Sequence, residues 1–179
     1  AQLLGFHRGD RMVRLSSVTG MAAGRDSLLG HANHTLITTE RGVTILLQFD
    51  GTTPRPYSRI QGINGTKAFA QKYPLPLFQD ADGLREGEAA ENFLHSVADS
   101  SAYRLWREGV ERGVPNAMNY AMDCRLIHCL RRGLPLDIDV YDAAEWSCLA
   151  ELTRLSAQRG GTPVEIPDFL NGEMPPAQR

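Results

Sequence analysis

The segment Pro54-Arg55-Pro56-Tyr57-Ser58-Arg59 gathers two guanidinium groups and a phenol on one short stretch. An Arg fork grips a carboxylate or an array of hydroxyls, and an aromatic ring stacks on the apolar face of a sugar. The two prolines set φ and stiffen the backbone that carries these groups. The residue types suit carbohydrate binding, with Tyr57, Arg55 and Arg59 as candidate contacts. The plainer reading is a stiff connection with two solvated arginines, and composition alone favours it.

Other clusters carry less. His31 and His34 are a metal-ligand pair without a third ligand at matching spacing. His128 and Cys129 are helical neighbours, so their side chains point to different faces and do not form a catalytic pair. Asp137, Asp139 and Asp142 form an acidic cluster that could be read as catalytic carboxylates, but helix capping accounts for Asp139 and Asp142 together. Cys124, Cys129 and Cys148 make an odd number with no C-x-x-C, and read as reduced thiols buried in helices. No metal site and no catalytic residue is assigned. There is also no G-x-G-x-x-G after a strand, so no dinucleotide fingerprint is present. Gly62 to Lys67 has the residue types of a phosphate loop at the wrong spacing, and a turn between strands explains it better. Asn33-His34-Thr35 and Asn64-Gly65-Thr66 match the glycosylation pattern by chance, since both fall in strands or tight turns.

The elements that must position these residues divide by region. Residues 1–80 are β-rich. Residues 12–18 alternate as a strand, 19–32 form a Gly-rich loop, and 33–39 and 43–50 form a hairpin about Glu40-Arg41-Gly42. In the second arm Ile45, Leu47 and Phe49 share one face, and Leu46 lies on the other. Apolar residues on both faces predict a central strand. Residues 57–63 and 66–71 read as a further hairpin about Gly65, and 73–78 as extended. Residues 86–160 are helix-rich, with helices over 86–97, 100–112 and 117–132, the last stopped by Arg131-Arg132-Gly133. A fourth helix is capped by Asp139, ends at Gly160-Gly161, and carries Tyr141, Ala144, Cys148, Leu152 and Leu155 on one apolar face. Residues 163–169 are extended again, and the tail beyond Glu173 is expected to fray. Strands first and helices later is an α+β order.

The chain has 179 residues, 42% hydrophobic and 22% charged, with a formal net charge of −2. That length suits a single domain over 1–179. The charge balance argues against nucleic acid as a partner, and no apolar run is long enough for a membrane span. The chain opens on Ala-Gln-Leu-Leu without Met, as a processed or excised fragment would. Its compartment, bacterial cytoplasm or exported, is therefore left open.

Taken together, several motifs resemble glycoside hydrolase family 109, NAD-dependent α-N-acetylgalactosaminidases on the Gfo/Idh/MocA oxidoreductase scaffold. They are Asn33 to Thr39, Thr44 to Asp50, Thr53-Pro54-Arg55-Pro56-Tyr57-Ser58-Arg59, Gly65-Thr66-Lys67, Gln71-Lys72-Tyr73-Pro74, Leu130 to Ser147 and Pro163 to Phe169. Arg8-Gly9-Asp10-Arg11-Met12 resembles the stretch just after the family's active-site Tyr-Pro-Thr-His.

The resemblance implies the C-terminal domain of such a protein: an open-faced, largely antiparallel sheet with helices on one face. NAD would be held by an N-terminal Rossmann domain that precedes these residues, and no cofactor is expected on this chain. The implied partners are a sugar, that Rossmann domain, and a second copy through the open sheet face. The implied reaction is glycoside hydrolysis by transient oxidation and elimination, and the chain alone is expected to be inactive. Alternatives are a sugar or cyclitol dehydrogenase of the same family, or a non-catalytic self-association module. Tyr57 matches a substrate-contacting Tyr of the family; Arg55 and Arg59 join it by proximity. One departure stands out. Many relatives open the third helix with His-Gly-Gly-Met-Asp, and this chain has Pro115-Asn116-Ala117-Met118-Asn119, which puts sugar specificity in question.

Overall fold

A computed structural model describes residues 2–20, 31–59, 61–97, 100–170 and 172. Most of the Gly-rich loop expected over 19–32 and the tail beyond Glu173 lie outside the described residues. The chain divides into two compact units, one formed by 1–54 with 135–179 and the other by 55–134. Each is taken by itself. Together they hold the α+β, antiparallel composition read from sequence, with the strands shared between two four-stranded sheets.

In the first unit β1 (Met12–Gly20), β2 (Ala32–Thr39), β3 (Thr44–Asp50) and β8 (Val164–Glu165) form an antiparallel sheet in the order β3-β2-β1-β8. Gly42, at φ 81°, turns the β2–β3 hairpin, and the Thr39 N–H donates to the Val43 carbonyl at 2.9 Å. Helix α4 (Val140–Gln158) packs on β1. Leu15 and Ile37 are buried from the sheet, and Trp146, Leu149 and Leu152 cover them from the helix. Burying a side chain of this size contributes about 1.5–3 kcal/mol.

The expectation of a central strand over 43–50 is corrected: β3 is an edge strand, with β8 at the other edge. Its apolar residues on both faces are only partly covered, with Leu46, Leu47 and Phe49 exposed. A two-sided apolar pattern reports what a strand could bury, not what packs on it.

The second unit holds β4 (Gly62–Asn64), β5 (Phe69–Gln71), β6 (Leu77–Asp80) and β7 (Gly83–Glu86) as a meander in sequence order. Helix α1 (Gly87–Val97) packs on β6 and β7, with the Phe78 and Phe93 rings 4.8 Å apart and the Arg85 guanidinium 4.1 Å from the Phe93 ring centre. Helices α2 (Ser101–Glu111) and α3 (Ala117–Arg132) pack together where Gly109 is buried. A Cβ at Gly109 would lie 3.0 Å from the Tyr120 ring, so the close approach requires glycine. Nearby, the Tyr120 phenol donates to the Glu108 carboxylate, and this bond pushes its pKa up to about 12.

The strand expected over 57–63 is shorter. Only Gly62–Asn64 pairs, residues 55–59 have no regular structure, and Ile60 lies outside the described residues. Pro54 and Pro56 have no N–H to donate to a ladder, so pairing starts beyond them. The β6–β7 hairpin was not read from sequence, because the apolar run into it is short and broken by three acidic or polar residues.

Helix ends follow the sequence closely. Asn116 caps α3 by accepting from the Met118 and Asn119 N–H groups, and Gly133 ends it at φ 62°. Asp139 and Asp142 form a reciprocal capping box on α4. The buried face of α4 is corrected in part. The expected Cys148 and Leu152 do pack on the core, with Leu149, but the buried positions are Asp142, Glu145, Thr153 and Ser156, and Tyr141 is exposed.

Candidate functional site

The segment carrying Arg55, Tyr57 and Arg59 is held by its neighbours in the second unit. The Lys72 N–H donates to the Gln61 carbonyl at 2.8 Å, which brings the chain after β5 back beside the segment's end. The Tyr57 and Tyr73 rings then stand 6.3 Å apart at 87°, edge to face. Arg59 donates through Nε to the Tyr57 hydroxyl and lies 5.9 Å from its ring centre. That bond keeps the Arg59 pKa above the ordinary guanidinium value. Lys72 lies 5.9 Å from the Tyr73 ring centre, and Arg55 donates to the Ser58 carbonyl. Tyr57 is 72% exposed. The corner therefore offers an accessible aromatic face, which stacking on a sugar ring requires, with Arg59 and Lys72 beside it. The structure brings Tyr57 and Arg59 into contact. Tyr73 and Lys72 complete the corner; they were quoted in sequence only as part of a motif.

A second cluster, in the first unit, was missed as a cluster. His7 adopts φ 59°, which costs a non-glycine residue of order 1–2 kcal/mol. A tight turn holds it there: the His7 N–H donates to the Asp10 carbonyl at 2.9 Å. The Asp10 carboxylate accepts from the Arg11 and Arg41 N–H groups. His7 Nε2 lies 2.9 Å from Glu145 Oε2, without the alignment of a hydrogen bond. Glu145 Oε1 accepts from the Met12 N–H at 3.1 Å. Burial pushes the Glu145 carboxyl above its ordinary pKa, with the Asp142 charge adding to it; the Met12 N–H and His7 oppose. The clue in the sequence was the spacing of Asp142 and Glu145, one turn apart and in register with Leu149 and Leu152.

This buried centre borders a cleft of about 440 Å³ lined by His7, Asp10, Arg11, Glu40, Asp168 and Leu170. The buried Asp10 and the half-buried Asp168 of this cleft are already engaged. Asp168 accepts from the Leu170 and Gly172 N–H groups, the first of which chiefly holds its pKa low. Both ring nitrogens of His7 and Glu145 Oε2 are sealed from solvent. Through the Met12 N–H and His7, Glu145 ties α4 to β1 and to the turn before it.

The remaining sequence candidates are dispersed. His34 Nδ1 pairs with the Gln48 amide across β2 and β3. Among the described residues no three potential metal ligands gather, and no helix is long and apolar enough to cross a membrane. All three cysteines are unpaired; Cys129 is buried and the other two are half-buried.

A family model described as the glycosyl hydrolase 109 C-terminal domain matches residues 26–175. The chain belongs to that family. The α-N-acetylgalactosaminidase of Bacteroides fragilis is 48% identical over 191 residues, covering 96% of this chain and 45% of the relative. The glycosyl hydrolase family 109 protein 2 of Phocaeicola vulgatus is 47% identical, covering 96% of this chain and 46% of its own length. The family-109 chain thus spans about half the length of the curated relatives it matches.

Among solved structures, an oxidoreductase from Agrobacterium radiobacter in complex with NAD+, L-tartaric acid and magnesium matches with TM-score 0.60 and 16% identity, over 87% of this chain and 43% of that one. An inositol dehydrogenase homolog from Azotobacter vinelandii, complexed with NADH and myo-inositol, matches with TM-score 0.53 and 17% identity, over 88% and 45%. At such identity the likeness establishes the fold alone, that of the matched part of each of these chains.

Proposed function

We propose that this family-109 domain supplies sugar-contacting residues to an NAD-dependent glycosidase acting by transient oxidation and elimination. The substrate class is the α-N-acetylgalactosaminides named for its Bacteroides fragilis relative. The observation that carries this reading is the exposed Tyr57 ring, set against Tyr73 and beside Arg59, in a member of this family. In this reading Tyr57 stacks on or donates to the sugar, and Arg59 orients the phenol by donating to its oxygen; Arg55 stiffens the turn.

The residues described here do not suit a dinucleotide. Both sheets pair antiparallel throughout, whereas a dinucleotide crevice forms at the carboxyl ends of parallel strands. No residue of this chain is therefore assigned to NAD, which in this reading is bound by a nucleotide domain of the parent protein.

In the full-length protein, Tyr57→Ala should weaken sugar affinity about ten-fold, the size of one lost aromatic contact, with NAD affinity unchanged. Equal loss of both affinities, or loss of neither, would count against the assignment. Release of an oxidised sugar together with NADH would instead make the protein a dehydrogenase.

A second reading concerns assembly. Val18, Leu36 and Leu46 are exposed on the sheet face away from α4, beside the edge strand β3. Such a face with a free edge favours pairing with a second copy. Leu46→Glu should then lower the mass seen by sedimentation velocity; a monomeric wild type would remove this reading.

A further inference from the structure

The corner that holds Tyr57 carries a one-sided charge. Residues 51–79 contain Arg55, Arg59, Lys67 and Lys72 and no Asp or Glu, in a chain whose formal net charge is −2. Two of these cations are placed on the corner itself, Arg59 at the Tyr57 ring and Lys72 at the Tyr73 ring. Lys72 and Lys67 are exposed.

The chemistry of the groups matters as much as their charge. Ammonium and guanidinium groups donate hydrogen bonds and accept none. The Tyr57 oxygen already accepts from Arg59 Nε, so the phenol contributes its proton outward. A neutral sugar hydroxyl both donates and accepts, and a surface of donors satisfies only half of it. A carboxylate or sulfate ester only accepts, and its charge strengthens each bond. The aromatic corner meanwhile takes the apolar face of a ring.

Building on the sugar-binding reading above, we infer that this corner selects a saccharide bearing an anionic substituent, with Tyr57 and Tyr73 stacking on the ring and Lys72 and Arg59 contacting the anion. Lys72 is then a specificity-determining residue. Its side chain is exposed, with the ammonium beside the Tyr73 ring.

The test is an NMR titration of the chain at constant ionic strength with four probes: N-acetylgalactosamine, its 6-sulfate, galacturonate and sodium sulfate. At least one anionic sugar should bind roughly ten-fold more tightly than N-acetylgalactosamine and than sodium sulfate, as expected for two exposed charge contacts acting together. Which one binds identifies the substituent as a sulfate ester or a carboxylate. The preference should shrink as salt rises. Lys72→Gln should bring the anionic-to-neutral ratio toward one, and Lys72→Arg should restore it.

Equal affinity for neutral and anionic sugars would overturn this inference and leave the sugar site standing. Sodium sulfate binding as tightly as the sugar sulfate would reduce the corner to simple surface charge and overturn it too. A ratio unmoved by Lys72→Gln would remove Lys72 and the inference with it. No binding by any sugar would overturn both this inference and the sugar-binding reading.

Discussion

His7 and Glu145 are 5% and 1% exposed, whereas Tyr57 is 72% exposed, yet both regions join a ring to an ionisable partner at close range. The first is enclosed by β1, α4 and a turn strained at His7. The second rests on short strands and a segment with no regular structure. In the enclosed centre a missing partner leaves a polar group without water, so its energy goes into the fold. In the open corner water replaces any lost contact, so little stability depends on it and the groups remain available to a ligand. Burial, and not residue type, separates a structural pair from a binding surface.

The sharpest break in this comparison is Glu145→Ala. It leaves His7 and the Met12 N–H buried without a partner and should cost about 3–5 kcal/mol in urea unfolding. A loss below about 1 kcal/mol would mean that the centre is wetter than its geometry shows.

Next comes Ser156→Ala. Ser156 accepts from the Ser17 N–H at 2.9 Å and donates to the Thr162 carbonyl at 2.7 Å, joining α4, β1 and the turn after α4. Below it the Asn33, Thr35 and Ser17 side chains form one buried network. Removing the hydroxyl should cost about 1–3 kcal/mol by the same measurement.

The pH dependence is a finer test. The Glu145 carboxyl in the fold sits above its ordinary value of 4.5. Between that value and the raised one the folded state binds the extra proton, so stability falls as pH rises through the window. This contribution is fully present below 4.5 and lost as pH rises past the folded value. Glu145→Gln keeps the size of the protonated side chain and should flatten that slope, read as unfolding free energy across the acid range. An unchanged slope would place the titration elsewhere.

The smallest effect is expected at the open corner. Tyr57→Ala should change stability by no more than about 0.5 kcal/mol while still weakening sugar binding. A large stability loss would make Tyr57 a packing residue and erase the contrast.

Much of this arrangement was legible in the sequence. The capping box of Asp139 and Asp142, the Asn116-to-Gly133 limits of α3, and the Gly42 turn are local, and each rests on hydrogen bonds or φ preferences within a few residues. The family was legible too, from the motif set about Pro54 to Arg59. The buried face of α4 was legible only in part. Apolar spacing suggested Tyr141, Ala144, Cys148, Leu152 and Leu155; Cys148 and Leu152 do pack against the core, but Tyr141 is exposed and Asp142 and Glu145 are buried instead. Glu145 faces inward there because partners distant in sequence, His7 and the Met12 N–H, meet it, whereas Asp142 is held locally by the Asp139 N–H. The edge position of β3 was hidden for the same reason, since strand order depends on which strands pair and not on one strand's pattern.

For this protein, then, sequence alone determined the turns, the helix ends, the α+β class and the kinship, because these depend on local backbone preference or on residues read in order. Tertiary structure decided which ionisable groups are sealed and which face water. That choice depends on contacts between segments more than a hundred residues apart, as between Met12 and Glu145, and no local pattern encodes it.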